Sequence, residues 1–210
     1  MPGLVEVIPN NGVIAIARER KFTTEDLFRE TGQVLLDMGY EGFTIGAIAE
    51  RLRVSRSALY KYYDNKDELI SDFMIHEMNL FLAELREIER EPDFESQFRF
   101  LLGLIFRRRT IHELLGSIRL IPKSENPKVR ANLEQLDRLH LDMYACLGSF
   151  VAAGRREGKL RSHLSDGLVL GFIFQSIMIP NHEGIPHDQW VKAVGDVLRS
   201  GIMNGKVFPI

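Results

Sequence analysis

Beyond residue 22 the apolar residues recur at helical spacing almost to the C-terminal end. Leu27, Phe28, Thr31, Val34, Leu35 and Met38 predict a first helix, opened by the cap and acids of Thr23-Thr24-Glu25-Asp26 and ended by Gly39. Ile45, Ile48, Ala49 and Leu52 predict a short second helix with Thr44 as N-cap. Arg53-Val54-Ser55 breaks the pattern, and Ser55 opens a third helix over 56–63 that turns Leu59 and Tyr63 inward. Asp64-Asn65 ends it and caps a long helix reaching about residue 91, with Leu69, Phe73, Ile75, Met78, Leu82, Leu85 and Ile88 on one face.

After Pro92 the pattern predicts a helix over 94–109, a short one over 111–120 and a long one over 128–157. A helix over 166–179, capped by Ser165, is apolar almost all round and needs burial on several sides. The last helix, 187–204, turns Trp190, Val191, Val194, Val197, Leu198 and Ile202 inward. Only the first 20 residues read differently: two β-rich runs flank Pro9-Asn10-Asn11-Gly12, a hairpin signal. Arg18, Arg20 and Lys21 then form either a basic arm or a solvated lead-in.

This is an all-α plan in two domains. The predicted division is an N-terminal extension (1–22), a three-helix helix-turn-helix domain (23–73) and a larger helical domain (74–210). The 210 residues exceed one average domain, and 45% hydrophobic with 27% charged content is that of a soluble globular protein. The lone Cys146 excludes an internal disulfide and fits a reducing, cytoplasmic setting. No secretory signal is read at the start, and the most apolar run, 168–179, is too short to span a bilayer, so no membrane partner is expected.

Residues 43–70 carry the chemistry. Helix, short turn, helix is the arrangement in which the second helix enters the DNA major groove. Arg56, Ser57, Tyr60, Lys61 and Tyr62 lie off the Leu59/Tyr63 core face and must meet solvent or a partner. Between Thr44 and Lys66 the cations Arg51, Arg53, Arg56, Lys61 and Lys66 outnumber the anions Glu50 and Asp64 by three, in a chain of net charge −2. Arg and Lys neutralise phosphate or read guanine, and Ser and Tyr hydroxyls bond phosphate oxygens.

Gly42-Phe43-Thr44, Ile48-Ala49, Val54-Ser55, Leu59-Tyr60-Lys61-Tyr62-Tyr63 and Lys66-Asp67-Glu68-Leu69 together resemble the DNA-binding motif of the TetR family of transcriptional regulators. The resemblance covers residues 23–73; beyond them the likeness is one of length and helical plan. One position departs from the family pattern. Arg53 stands where the turn glycine belongs, so the turn carries strain, and Arg53 is a further candidate to reach a phosphate.

The resemblance implies a dimeric, ligand-responsive repressor bound to double-stranded operator DNA. Arg56, Ser57, Lys61 and Tyr62 are assigned to base edges, and Thr44, Ser55, Tyr60 and Lys66 to phosphates. The helix too apolar for a surface, followed by an amphipathic one, predicts a homodimer contact across a two-fold axis through Gly167, Gly171, Phe172, Trp190, Val194 and Val197. In the resembling family the last two helices do form that interface.

Enzyme chemistry finds little support. No two of the six histidines sit at i,i+3 or i,i+4, and nucleophile elbow, dinucleotide glycines and paired cysteines are all missing, so no catalytic residue, metal or cofactor is expected. The run Gly154-Arg155-Arg156-Glu157-Gly158-Lys159 mimics a phosphate loop, but its spacing is short and a helix precedes it; it reads as a helix stop. A pocket for a small hydrophobic effector is the remaining chemistry. Its expected apolar walls are Met78, Phe98, Phe106, Met143, Phe174 and Met178, studded by His112, Arg119, His140, Tyr144 and Gln175. The alternative is a helical small-molecule-binding or enzymatic protein with a vestigial reading head.

Overall fold

A computed structural model describes residues 22–109, 112, 114, 121 and 125–204. Among them lie eight α-helices: α1 (Thr24–Gly42), α2 (Ile45–Arg51), α3 (Arg56–Leu59), α4 (Lys66–Leu85), α5 (Phe94–Arg107), α6 (Pro127–Arg156), α7 (Asp166–Gln175) and α8 (His187–Ile202). The expected hairpin near the start, the basic arm, the body of the 111–120 helix and Arg119 fall outside the described residues.

Thr23 closes a reciprocal capping box on α1: its hydroxyl accepts from the Asp26 N–H at 3.0 Å, and its own N–H donates to Asp26 Oδ2 at 3.2 Å. The Thr23 hydroxyl, which also donates to Asp26 Oδ2 at 2.8 Å, and then the Thr23 N–H hold the Asp26 carboxyl below the usual carboxylate range. Gly39, at φ 66° and ψ 178°, breaks the regular helix where the sequence places its end, and a short further turn delivers Tyr40 and Phe43 to the core. Leu27, Phe28, Val34 and Leu35 of α1 bury against Ile48 and Ala49 of α2, Leu59 of α3 and Leu69, Ile70 and Phe73 of α4. This helix-turn-helix domain and the helical domain after it share α4, about 30 Å long at 1.5 Å per residue.

Several helices differ in extent from the periodicity, the last one ending at Ile202 rather than 204. The reading helix was expected over 56–63; regular α-helix stops at Leu59, and Tyr62 and Tyr63 both return their N–H groups to the Leu59 carbonyl. The long helix tightens into a 3₁₀ turn over Arg86–Arg90 before Pro92. The 94–109 helix ends at Arg107, since Arg108 leaves helical geometry and pairs with Glu84 of α4. The 166–179 helix stops at Gln175 and finishes as a 3₁₀ turn over Ser176–Met178.

The C-terminal domain is built around α4, α5 and α6. Phe94 and Phe150 stack at 4.8 Å and 17°, joining α5 to α6, and Leu101, Ile105 and Leu147 are fully buried beside them. α6 ends at Arg156, and Gly158 at φ 64° turns the chain back, as the helix-stop reading requires. A lone antiparallel bridge between Leu160 and Met203 then ties the loop after α6 to the end of α8, and Arg161 donates to the Met203 and Ser200 carbonyls.

Candidate nucleic-acid interface and ligand interior

The reading head presents its assigned contacts outward. Thr44, Ser55, Arg56, Ser57, Tyr60, Lys61 and Tyr62 are exposed, and Lys66 is half-buried. Thr44 is the N-cap of α2, its hydroxyl accepting from the Ala47 N–H at 3.1 Å. Ser55 has the extended backbone of an N-cap but makes no capping bond; its hydroxyl lies 3.0 Å from that of Ser57. Tyr62 packs edge-on against Phe22 at 6.0 Å.

The turn between α2 and α3 is a type of backbone that glycine adopts freely. Arg53 has φ 55°, the sole positive-φ residue besides glycine among those described. Its N–H still reaches the Glu50 carbonyl at 3.0 Å and the next N–H the Ala49 carbonyl at 2.9 Å, so the turn closes and the strain is borne by arginine.

The charge count changes in three dimensions. Arg51 is spent within the domain, 2.5 Å from Asp37 and 3.9 Å from Glu30, and it holds the Asp37 carboxyl below its ordinary range. Lys66 donates to the Tyr40 carbonyl at 2.9 Å and sits 4.2 Å over the Tyr40 ring. Tyr40 in turn donates to Asp67 at 2.7 Å, and burial followed by that bond raises its hydroxyl pKa. Among the described residues no ion pair involves Arg53, Arg56 or Lys61, which leaves them as the patch that faces outward.

Lys128, absent from the sequence-level candidates, sits 2.7 Å from Glu68 and 4.9 Å over the Tyr63 ring. A signal for it was present: a cation in the first turn of a helix opposes the helix dipole and needs a local anion.

The expected ligand residues divide. Met78, Phe98, Phe106 and Met143 are buried, and Phe174 is half-buried. His112 lies edge-on to Phe81 at 5.0 Å and 5.9 Å from Phe174, with its Nε2 buried and unpartnered. Burial lowers its pKa to about 4, so the imidazole is neutral at pH 7. His140 and Tyr144 do not join this interior. They face solvent on α6, their rings 5.2 Å apart, although His140 stands one turn from both Leu136 and Met143 of the buried stripe.

Gln175 and Met178 are also outside. Gln175 lines an apolar groove of about 490 Å³ between α7 and α8, with Phe172, Ile179, Trp190, Val194 and Val197. Phe172 is 54% exposed and Val197 72%, where the sequence expected both to be covered. Val194 is buried within the chain itself. A Cβ added at Gly167 or Gly171 would meet nothing within 4 Å among the described residues. The Trp190 indole N–H is buried without a partner.

Residues 26–72 match the profile of the bacterial regulatory proteins of the tetR family. The HTH-type transcriptional regulator YdeS of Bacillus subtilis is 28% identical over 163 residues, 71% of this chain and 75% of its own length. IcaR of Staphylococcus epidermidis, a negative transcriptional regulator of the biofilm operon icaADBC, is 25% identical over 104 residues, 48% of this chain and 56% of its own. The solved structure of the Bacillus subtilis transcriptional regulator FadR in complex with stearoyl-CoA superposes with a TM-score of 0.63 at 17% identity, covering 86% of this chain and all of that one. No helix among the described residues is long and apolar enough to cross a membrane. Residues 26–72 thus carry the helix-turn-helix of the tetR family of bacterial regulatory proteins, and the chain shares its helical fold with the FadR structure.

Proposed function

We propose that this regulator is a homodimeric cytoplasmic repressor that binds a near-palindromic operator and leaves it when a small hydrophobic effector enters the C-terminal domain. The observation that carries the reading is the outward patch of Arg53, Arg56 and Lys61, without ion pairs among the described residues, beside the exposed hydroxyls of Ser57, Tyr60 and Tyr62. Arg56, Ser57, Lys61 and Tyr62 meet base edges, while Thr44, Ser55, Tyr60 and Lys66 meet phosphates. Lys66 must exchange its Tyr40 carbonyl for a phosphate oxygen to do so, and the positive N-terminus of α4 favours the anion there.

A second copy on the α7–α8 face brings two reading heads onto one side of the duplex. The exposed Phe172 and Val197 and the open space over Gly167 and Gly171 favour that occupant. Half-sites then lie about one helical turn, roughly 34–36 Å, apart or a multiple of it.

The buried Phe81 and half-buried Phe174 rings beside His112 favour an effector with a long apolar part. Neutral His112 offers it a hydrogen bond rather than a charge. Stearoyl-CoA bound to FadR and the negative regulation by IcaR support the same direction. The test is operator selection from random duplexes, followed by titration of long-chain acyl ligands with and without the selected operator. Linkage requires operator to weaken effector binding by the factor by which effector weakens operator, about 5- to 150-fold for a typical coupling. Equal affinity in both titrations excludes that ligand as an effector, and a protein that selects no sequence excludes the reading itself.

A further inference from the structure

A Cβ built on Gly46, in the first turn of α2, would stand 2.8 Å from Arg56 Nε, 3.0 Å from Cζ and 3.1 Å from Nη2. The guanidinium of Arg56 therefore lies against the backbone of α2, in the space a side chain at 46 would fill. Nothing in the backbone asks for glycine there. Gly46 is not among the positive-φ glycines, and in an ordinary helical turn glycine is less stable than alanine. Its effect is on Arg56.

Arg56 is the first residue of α3 and is exposed, yet its planar fork lies against the neighbouring helix. An arginine reads guanine with two parallel N–H bonds, so the orientation of that plane decides whether both bonds form. We propose that Gly46 is a positioning residue for base recognition: by lacking a Cβ it seats the Arg56 guanidinium on α2, from which the fork addresses one base pair of the operator. This rests on the reading of Arg56 as a base contact.

The experiment selects binding sites from a random duplex library with the full chain as wild type, Gly46→Ala, Arg56→Ala and the double variant, with thermal unfolding and salt dependence measured beside it. Gly46→Ala should stay folded, since the conflicting atoms are the far end of a flexible side chain. Its salt slope should match wild type, because no charge is lost. Discrimination at one base pair should fall from the roughly 5- to 150-fold of a bidentate contact to about twofold, at the pair that Arg56→Ala also blurs. In the Arg56→Ala background Gly46→Ala should change nothing further.

A Gly46→Ala protein that keeps the wild-type motif undiminished overturns the proposal and leaves Arg56 as a base reader. Blurring that persists in the Arg56→Ala background also overturns it, since the effect then does not pass through Arg56. If Arg56→Ala itself leaves the motif unaltered, the base-contact reading fails and the proposal fails with it.

Discussion

Lys128 Nζ lies 2.7 Å from Glu68 Oε1, joining the first turn of α6 to the first turn of α4. The Glu68 side chain is only 7% exposed, and its second oxygen accepts from the Asp64 N–H at 2.7 Å, just past the reading segment. One turn along α6, Asn132 donates to Ser71 at 3.0 Å. The C-terminal domain thus holds the reading head through polar contacts as well as apolar packing.

Lys128→Met removes the partner of a buried carboxylate. A loss of about 1–2 kcal/mol is expected, discounted because Lys128 is half-exposed and Glu68 keeps its backbone donor. Adding Glu68→Gln should recover part of that loss, since the uncompensated charge is gone. Denaturant unfolding of the two single variants and the double variant checks this; simple additivity would show that the pair carries no coupling.

Arg53→Gly should stabilise the turn. A positive φ costs a side-chain-bearing residue about 1–2 kcal/mol, and the extra freedom of glycine in the unfolded chain returns roughly 0.5–1 of it. The expected net gain is about 0.5–1 kcal/mol in denaturant unfolding. If Arg53 also meets a phosphate, the same variant should lower the salt slope of operator binding by about one.

Phe172→Asp and Val197→Asp should each give monomers that bind operator weakly, because a desolvated, unpaired charge costs several kcal/mol in an apolar contact. Both positions are exposed in the single chain, so the variants should remain folded. Val194 is the wrong place for this test, being buried within its own subunit. Sedimentation decides: wild type running as a monomer at micromolar concentration ends the dimer reading.

Acid should weaken the C-terminal domain through His112. Its folded pKa of about 4 lies below the ordinary 6.5, so the unfolded chain binds the extra proton between those values. Stability from this group is complete above pH 6.5 and is lost as the pH falls toward 4, by about 1–3 kcal/mol. Unfolding of His112→Leu followed over the same range should show a correspondingly flatter profile.

The all-helical plan, the order of the helices and the reading motif followed from the sequence alone. Capping residues such as Thr23 and Thr44, the spacing of Ile45, Ile48 and Ala49 and the strained turn at Arg53 are local properties, and local steric and hydrogen-bonding rules decide them. Which cations face outward was not local. Arg51 is neutralised by Asp37 and Glu30 from another helix, and Lys128 finds Glu68 across 60 residues, so neither pairing appears in any window of sequence. The ligand interior was partly misread for the same reason. Helical periodicity gives a face but not its width, so His140 and Tyr144, at the edge of the buried stripe of α6, turned out to be exposed. Likewise an apolar helix announces that it must be covered, and only the fold shows that Val194 is buried within its own chain while Phe172 and Val197 stand exposed on it.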